Sequence, residues 1–202
     1  MNGCLIGAIE YTTISEKIGM STLKPLESKT ALITGATGGY GKALSCNFIR
    51  AGASLVLIAR SRSALESLAH QLSSGLSANQ EVKFFVADLR ILKTIPELVN
   101  SLIDQFGVPD ILINNAGIQG PIGRVWENSW SEWEETMTVN LLAPVVLTRA
   151  LLPKMITRGG GKIIYISGGG ATAPRPNFTA YSCSKAAIVR FSETLAEELK
   201  DT

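Results

Sequence analysis

With 202 residues, 46% of them apolar and 18% charged, the chain can bury a hydrophobic core and is too apolar to stay disordered. Its 19 basic and 17 acidic side chains leave a net charge of +2, which gives no reason to expect a nucleic acid or a membrane surface as partner. No apolar run reads as long enough to span a bilayer, and the opening residues lack the basic start of a secretory signal. Cys4, Cys46 and Cys183 show no CxxC spacing, so they read as free thiols in a reducing, cytoplasmic setting. The single His70 excludes a His-rich metal site. It falls in an outer-helix run as a surface residue, and no metal is expected.

Residues 1–29 follow no clear pattern and read as a poorly ordered leader, with Met20 as an alternative start; residues 30–202 read as one domain. Thr30–Thr34 is a short apolar strand. The glycine loop Gly35-Ala-Thr-Gly-Gly-Tyr-Gly41 follows, then a helix over Lys42–Ala51. Strand, glycine loop and helix together bring backbone N–H groups and a helix N-terminus against a phosphate. Ser54–Arg60 is an unbroken apolar strand of the kind buried on both faces. A helix is predicted over Ser63–Leu72 with Ser63 as N-cap, a strand over Val82–Ala87 ending at Asp88, and a helix over Ile91–Phe106. Asp110–Ile113 is a strand leading into Asn114-Asn-Ala-Gly117. One long helix, Trp130–Met155, is expected to bend at Pro144. Lys162–Ser167 is a strand, Gly168–Asn177 a loop, and a helix from about Phe178 closes the chain. Strands alternating with helices predict an α/β fold with helices on both faces of a parallel sheet. A reversal of strand order after the third strand would put a ligand crevice at the strands' C-terminal ends. The glycine loop, Arg60, Asp88, Asn115 and Ser167 fall at such ends.

The last helix carries Tyr181-Ser-Cys-Ser-Lys185. Residues four apart share a helix face, so the phenol and the ammonium are neighbours. A phenol titrates near ~10 and works poorly at neutral pH. A nearby cation favours the phenolate, so this spacing predicts a tyrosine able to trade protons with a substrate oxygen.

Taken in order, Thr34-Gly-Ala-Thr-Gly-Gly-Tyr-Gly41, Asn114-Asn-Ala-Gly117, Val139-Asn-Leu141, Ile166-Ser167 and Tyr181-Ser-Cys-Ser-Lys185 resemble the short-chain dehydrogenase/reductase family from about Thr30 to Lys200. The resemblance implies a Rossmann-like, doubly wound parallel sheet in three αβα layers. It also implies hydride transfer between a nicotinamide cofactor and a small carbonyl or alcohol. Tyr181 matches the acid–base residue, Lys185 its helper and ribose ligand, Ser167 the hydrogen-bond donor to the substrate oxygen, and Asn140 the holder of a proton-relay water. Gly35, Thr37, Gly38, Gly39, Tyr40 and Gly41 would cradle the dinucleotide, with Asp88, Asn115 and Gly117 on its adenine side. Arg60 closes the second strand where a carboxylate would favour NAD, so NADP is the expected cofactor, with NAD as the alternative. The helices Trp130–Met155 and Phe178–Lys200 resemble those through which such proteins form homodimers and homotetramers; Leu141, Val145, Leu151 and Ile188 are candidates for that contact or for the core.

Three features depart from the family pattern. The usual serine would fall one place later, at Gly168, so Ser167 serves only if Gly168-Gly-Gly170 absorbs a residue. Gly35, Gly38 and Gly41 also fit the spacing of nucleotide-sugar epimerases and dehydratases. The last two strands are missing, which would leave Lys162–Ile166 as an open apolar edge. A non-catalytic dinucleotide-binding subunit and an epimerase or dehydratase therefore stand as alternatives to the oxidoreductase.

Overall fold

The computed structural model describes residues 24–200. Its five strands are β1 (Thr30–Thr34), β2 (Ser54–Ala59), β3 (Val82–Val86), β4 (Ile111–Asn114) and β5 (Lys162–Tyr165). The main helices are α1 (Gly39–Arg50), α2 (Arg62–Ser73), α3 (Ile95–Phe106), α4 (Trp130–Met137), α5 (Ala143–Arg158) and α6 (Thr179–Glu198). All strands are parallel, in the order β3-β2-β1-β4-β5. The order reverses at β1, and the crevice between the C-terminal ends of β1 and β4 is the topological switch point.

Alternating side chains build the two flanks of the sheet. Ile33, Leu57 and Ile113 face α1 and α2, where Ile49, Leu65, Leu68 and Leu72 meet them. Leu32, Val56, Ile58 and Leu112 face α3 and α5, against Val99, Leu102, Leu147 and Leu151. Each fully buried side chain of this kind stabilises the fold by roughly 1.5–3 kcal/mol, which is why the strands read as unbroken apolar runs.

Several expectations are corrected. The end of the expected leader forms a docked turn: Leu26 packs on the core and its N–H donates to the Ala51 carbonyl at 2.9 Å. The rest of that leader, with Cys4 and Met20, lies outside the described residues. The cap of α2 is Ser61, whose Oγ accepts from the Ala64 N–H at 3.2 Å; Ser63 is already inside the helix. The expected long helix is α4, a π turn over Thr138–Leu142, and α5. Pro144 follows directly on the π turn, inside a run that stays helical from Trp130 to Arg158; Pro153 lies further along the same run. The run Trp130–Arg158 is, by length and composition, apolar enough to cross a membrane, with a mean hydropathy of 1.4 in its best window. Here Ala143, Leu147, Leu151 and Met155 put it into the core. Leu151 and Ile188 are buried within the chain and are not free for an oligomer contact. His70 is exposed on α2, and Cys46 and Cys183 are free thiols.

Candidate active site

A cleft of about 380 Å³ opens at the switch point. Gly35, Thr37, Gly38, Gly39, Tyr40 and Gly41 form one wall, Arg60 and Asp88 the far end, and Asn115 and Gly117 the other wall. The glycines are there for space. A Cβ on Gly41 would lie 2.3 Å from the Gly35 carbonyl oxygen and 2.7 Å from the Ala36 α-carbon. Gly35 takes φ +61, and a Cβ there would meet the Ala116 α-carbon at 2.8 Å. Helix α1 begins at Gly39, three residues earlier than expected, with no side-chain cap and no acid in its first turn. Its first N–H groups and the positive end of its dipole are thus left for an anion.

Thr34 stitches the two walls. Its buried hydroxyl accepts from the N–H groups of Asn115 and Ala116, both at 3.0 Å. The Asn115 amide donates to the carbonyls of Thr34 at 2.8 Å and Gly35 at 3.2 Å, so this side chain braces the glycine loop. At the far end, Asp88 accepts from the backbone N–H and the Nε of Arg90, each at 3.0 Å, and Arg90 reaches on to Glu135 of α4 at 3.2 Å. The Arg90 hydrogen bond holds the Asp88 carboxyl below the usual range. Arg90 and Glu135 also line the cleft. Sequence reading missed both; only the nearness of Arg90 to Asp88 hinted at the pair. Arg60 is exposed and, among the described residues, makes no ion pair, whereas Arg62 pairs with Glu66.

Tyr181 and Lys185 sit one turn apart on α6, with the Lys185 Nζ 5.7 Å from the centre of the Tyr181 ring. Lys185 is 5% exposed and donates to the Ile166 carbonyl at 2.7 Å. Burial pushes its ammonium below the ordinary lysine range. Gly117 connects this pair to the cleft: a Cβ on it would lie 3.3 Å from the Asn140 Oδ1 and 3.5 Å from the Lys185 Nζ. Asn140 is buried in the π turn, and its amide is engaged on both sides. Oδ1 accepts from the Ile118 N–H at 2.8 Å, while Nδ2 donates to the Ile118 carbonyl at 2.8 Å and to the Ser184 Oγ at 3.0 Å. The Ser184 hydroxyl in turn donates to the Tyr181 carbonyl at 2.7 Å. The Asn140 side chain is thus a brace between α4–α5 and α6.

The expectation for Ser167 is corrected. Gly168, in extended backbone at φ −168 and ψ 167, is the residue facing the phenol: a Cβ on it would lie 2.2 Å from the Tyr181 hydroxyl. Successive residues of an extended chain point to opposite sides, so Ser167 turns the other way, and it is exposed. The glycines do not shift the register. Gly170 is pinned in the same manner, its missing Cβ 2.6 Å from the Ser182 Oγ.

The short chain dehydrogenase family model matches residues 29–202. The chain belongs to the short-chain dehydrogenase/reductase family. A short chain dehydrogenase of Pseudocercospora fijiensis is 38% identical over 179 residues, covering 88% of this chain and 57% of that protein. Dehydrogenase/reductase SDR family member 4 of Homo sapiens is 32% identical over 182 residues, covering 90% and 64%. The chain thus spans about three fifths of the length of these relatives. Among solved structures, a metagenomic short-chain oxidoreductase in complex with NADP superposes with a TM-score of 0.81 at 31% identity, over 87% of this chain and 78% of that one. An NAD+-bound xylitol dehydrogenase gives 0.81 at 29% identity, over 86% and 66%. The family binds a nicotinamide dinucleotide, and the switch-point cleft fits that group: two glycines that exclude any side chain, an uncapped helix N-terminus, and a wall that ends beside Lys185.

Proposed function

We propose that this chain is an NADP(H)-dependent oxidoreductase of small carbonyl compounds or secondary alcohols, working in a reducing cytoplasm. The observation that carries it is a glycine-walled cleft that presents Arg60 at one end and, at its Gly117 wall, lies beside Lys185, one helical turn from Tyr181. The glycine loop and the N-terminus of α1 would hold the diphosphate, Arg60 the 2′-phosphate, and Lys185 the ribose hydroxyls beside it. A bound nicotinamide dinucleotide supplies the hydride that adds to the carbonyl carbon. As the carbonyl π electrons move to oxygen, the Tyr181 hydroxyl gives that oxygen its proton. The phenolate left behind is stabilised by the Lys185 cation and recovers a proton from solvent. Run in reverse, the same groups take a proton from an alcohol. With Gly168 beside the phenol, no side chain at that position shares the load on the substrate oxygen. Loss of one such donor costs about 10²–10³ in kcat in other enzymes, so slow turnover is expected.

That same glycine favours a second reading, a subunit that binds the dinucleotide without turnover. Fluorescence titration with NADPH and NADH, followed by reduction of a carbonyl panel by the wild type and by Tyr181→Phe, separates the two. Binding of NADPH at least ~10-fold tighter than NADH is expected from Arg60. Tyr181→Phe should keep that affinity and lose ~10²–10⁴ in kcat. Equal turnover by the variant overturns the mechanism, and equal affinity for the two dinucleotides overturns the choice of NADP.

A further inference from the structure

The substrate side of Tyr181 is framed by two joined loops. One, residues 115–128, runs from β4 to α4; the other, residues 172–178, runs into α6. The Gly123 N–H donates to the Asn177 carbonyl at 2.9 Å, and the Asn128 amide donates to the Gly123 carbonyl at 3.2 Å. At this junction Gly123 takes φ +147 and Asn177 φ +68. Left-handed backbone in a non-glycine residue persists where the surroundings over-determine it, and it gathers at ligand clamps. Each loop presents an arginine seated on an aromatic face. The Arg124 guanidinium lies 5.4 Å from the centre of the Trp126 ring. That of Arg175 lies 3.8 Å over Phe178 and 5.6 Å from the Tyr181 ring. Arg62, Arg90, Arg158 and Arg190 each pair with a carboxylate. Arg124 and Arg175, like Arg50, Arg60 and Arg149, make no ion pair among the described residues, and of these five they are the two stacked on aromatic rings. A guanidinium stacked on a ring is held in place while its N–H edge stays free, and that planar edge matches a carboxylate or phosphate.

We propose that Arg175, with Arg124 on the adjoining loop, receives an anionic group of the substrate, so that the compound handled at Tyr181 is an oxo or hydroxy acid and not a neutral ketone or alcohol. The proposal rests on the oxidoreductase reading and narrows its substrate class. Arg175 is within a ring's breadth of the acid–base residue, so the anion belongs a few bonds from the reacting carbon.

The test uses the full chain saturated with NADP+, where a ketone can bind without being reduced. Calorimetric titration compares 4-oxopentanoate, its methyl ester and 3-oxobutylphosphonate. The oxo acid is expected to bind at least ~10-fold tighter than its ester. Arg175→Met should erase that preference and leave the affinity for NADP+ unchanged; Arg175→Lys should restore part of it, since a lysine keeps the charge and loses the fork. A phosphonate binding tighter than the carboxylate keeps the anion site and makes phosphoryl its group. Equal binding of acid and ester overturns the proposal, as does a loss of NADP+ affinity in Arg175→Met, which would give this arginine to the cofactor. Failure of NADP+ to bind the wild type sinks the oxidoreductase reading instead, and the acid–ester comparison on the cofactor-free chain then still decides whether Arg175 holds an anion.

Discussion

The two sides of the Tyr181–Lys185 pair are built to different tolerances. Toward the cofactor cleft, backbone meets backbone: Gly35 against Ala116, Gly41 against Gly35 and Ala36, with the Thr34 hydroxyl bonded across the seam. Toward β5 the packing thins. β5 has a neighbour, β4, on one side only among the described residues, and Ile164 on it is 40% exposed. Beside it lies a hollow of about 360 Å³ between Leu152, Met155, Ile163, Tyr165, Leu195 and Leu199. The cleft at the switch point is thus closely packed along its glycine wall. The surface beside β5 is apolar, of the kind that another element normally covers, and it lies at the far end of α6 from Tyr181. One helix joins the two: α6 carries Tyr181 and Lys185 in its first turns and Leu195, on the hollow, near its end.

The sharpest way to break this contrast is to add one methyl group to the tight side. In Gly41→Ala the new Cβ would meet backbone atoms at 2.3, 2.7 and 2.8 Å, none of which can rotate away. Overpacking of this kind costs about 1–3 kcal/mol, or roughly 2–12 °C in Tm for a domain of this size, and should weaken NADPH by ~10²-fold as the loop opens. Gly39→Ala, two residues earlier on the same helix, meets nothing within 4 Å and should be neutral or stabilising by up to about 1 kcal/mol. Thermal shift with and without NADPH checks both. Equal behaviour of the two variants would mean that the cleft wall is no tighter than its surroundings.

How much of this was legible beforehand follows from the same physics. β1, β2 and β4 are buried on both faces and leave unbroken apolar runs; the edge strands β3 and β5, partly exposed, are legible from their β-branched and aromatic residues. The glycine cluster marked a wall of the cleft, but it hid the start of α1, because Gly39 and Gly41 look like loop and are the first helical turn. The π turn has no compositional mark; it shows only in the backbone that turns the Asn140 amide onto Ile118 and Ser184. The Arg90–Glu135 contact joins residues 45 apart in the chain and no local pattern announces it. The error at Ser167 was one of parity: extended backbone decides which of two neighbours faces the phenol, and the residue types alone suggested the wrong one.

The loose side gives a smaller, more selective effect. Gly168→Ala places a methyl 2.2 Å from the Tyr181 hydroxyl, but the ring is the end of a side chain and can swing aside. Stability should therefore fall by about 1 kcal/mol or less, while kcat drops roughly 10-fold because the proton donor is displaced from its working position. The affinity for NADPH should stay within about twofold, since Gly168 does not line the cleft. Ser167→Ala, on an exposed side chain that points away, should change kcat by less than about twofold. A large loss in Ser167→Ala with none in Gly168→Ala would restore Ser167 as the donor and reverse the parity argument.

The finest test lies where the two sides meet, at Lys185. Its ammonium is buried and held below the ordinary lysine range by desolvation, so the folded chain binds its proton less tightly than the unfolded chain, where a lysine titrates near ~10.4. Between the folded value and that unfolded one, the unfolded state carries more protons, and stability rises with pH. Below the folded value the burial penalty is present in full. Lys185→Met removes the ionisable group and with it this rise, while the Ile166 carbonyl loses its donor at every pH. A plot of Tm against pH should accordingly be flatter for Lys185→Met than for the wild type on the alkaline side, by about 1.4 kcal/mol for each unit separating the two titration points. The variant should compare best with the wild type at neutral pH and worst near pH ~10. Parallel curves would mean that the ammonium is as well solvated in the fold as out of it, and the tight seam would then end short of the residue that joins it to Tyr181.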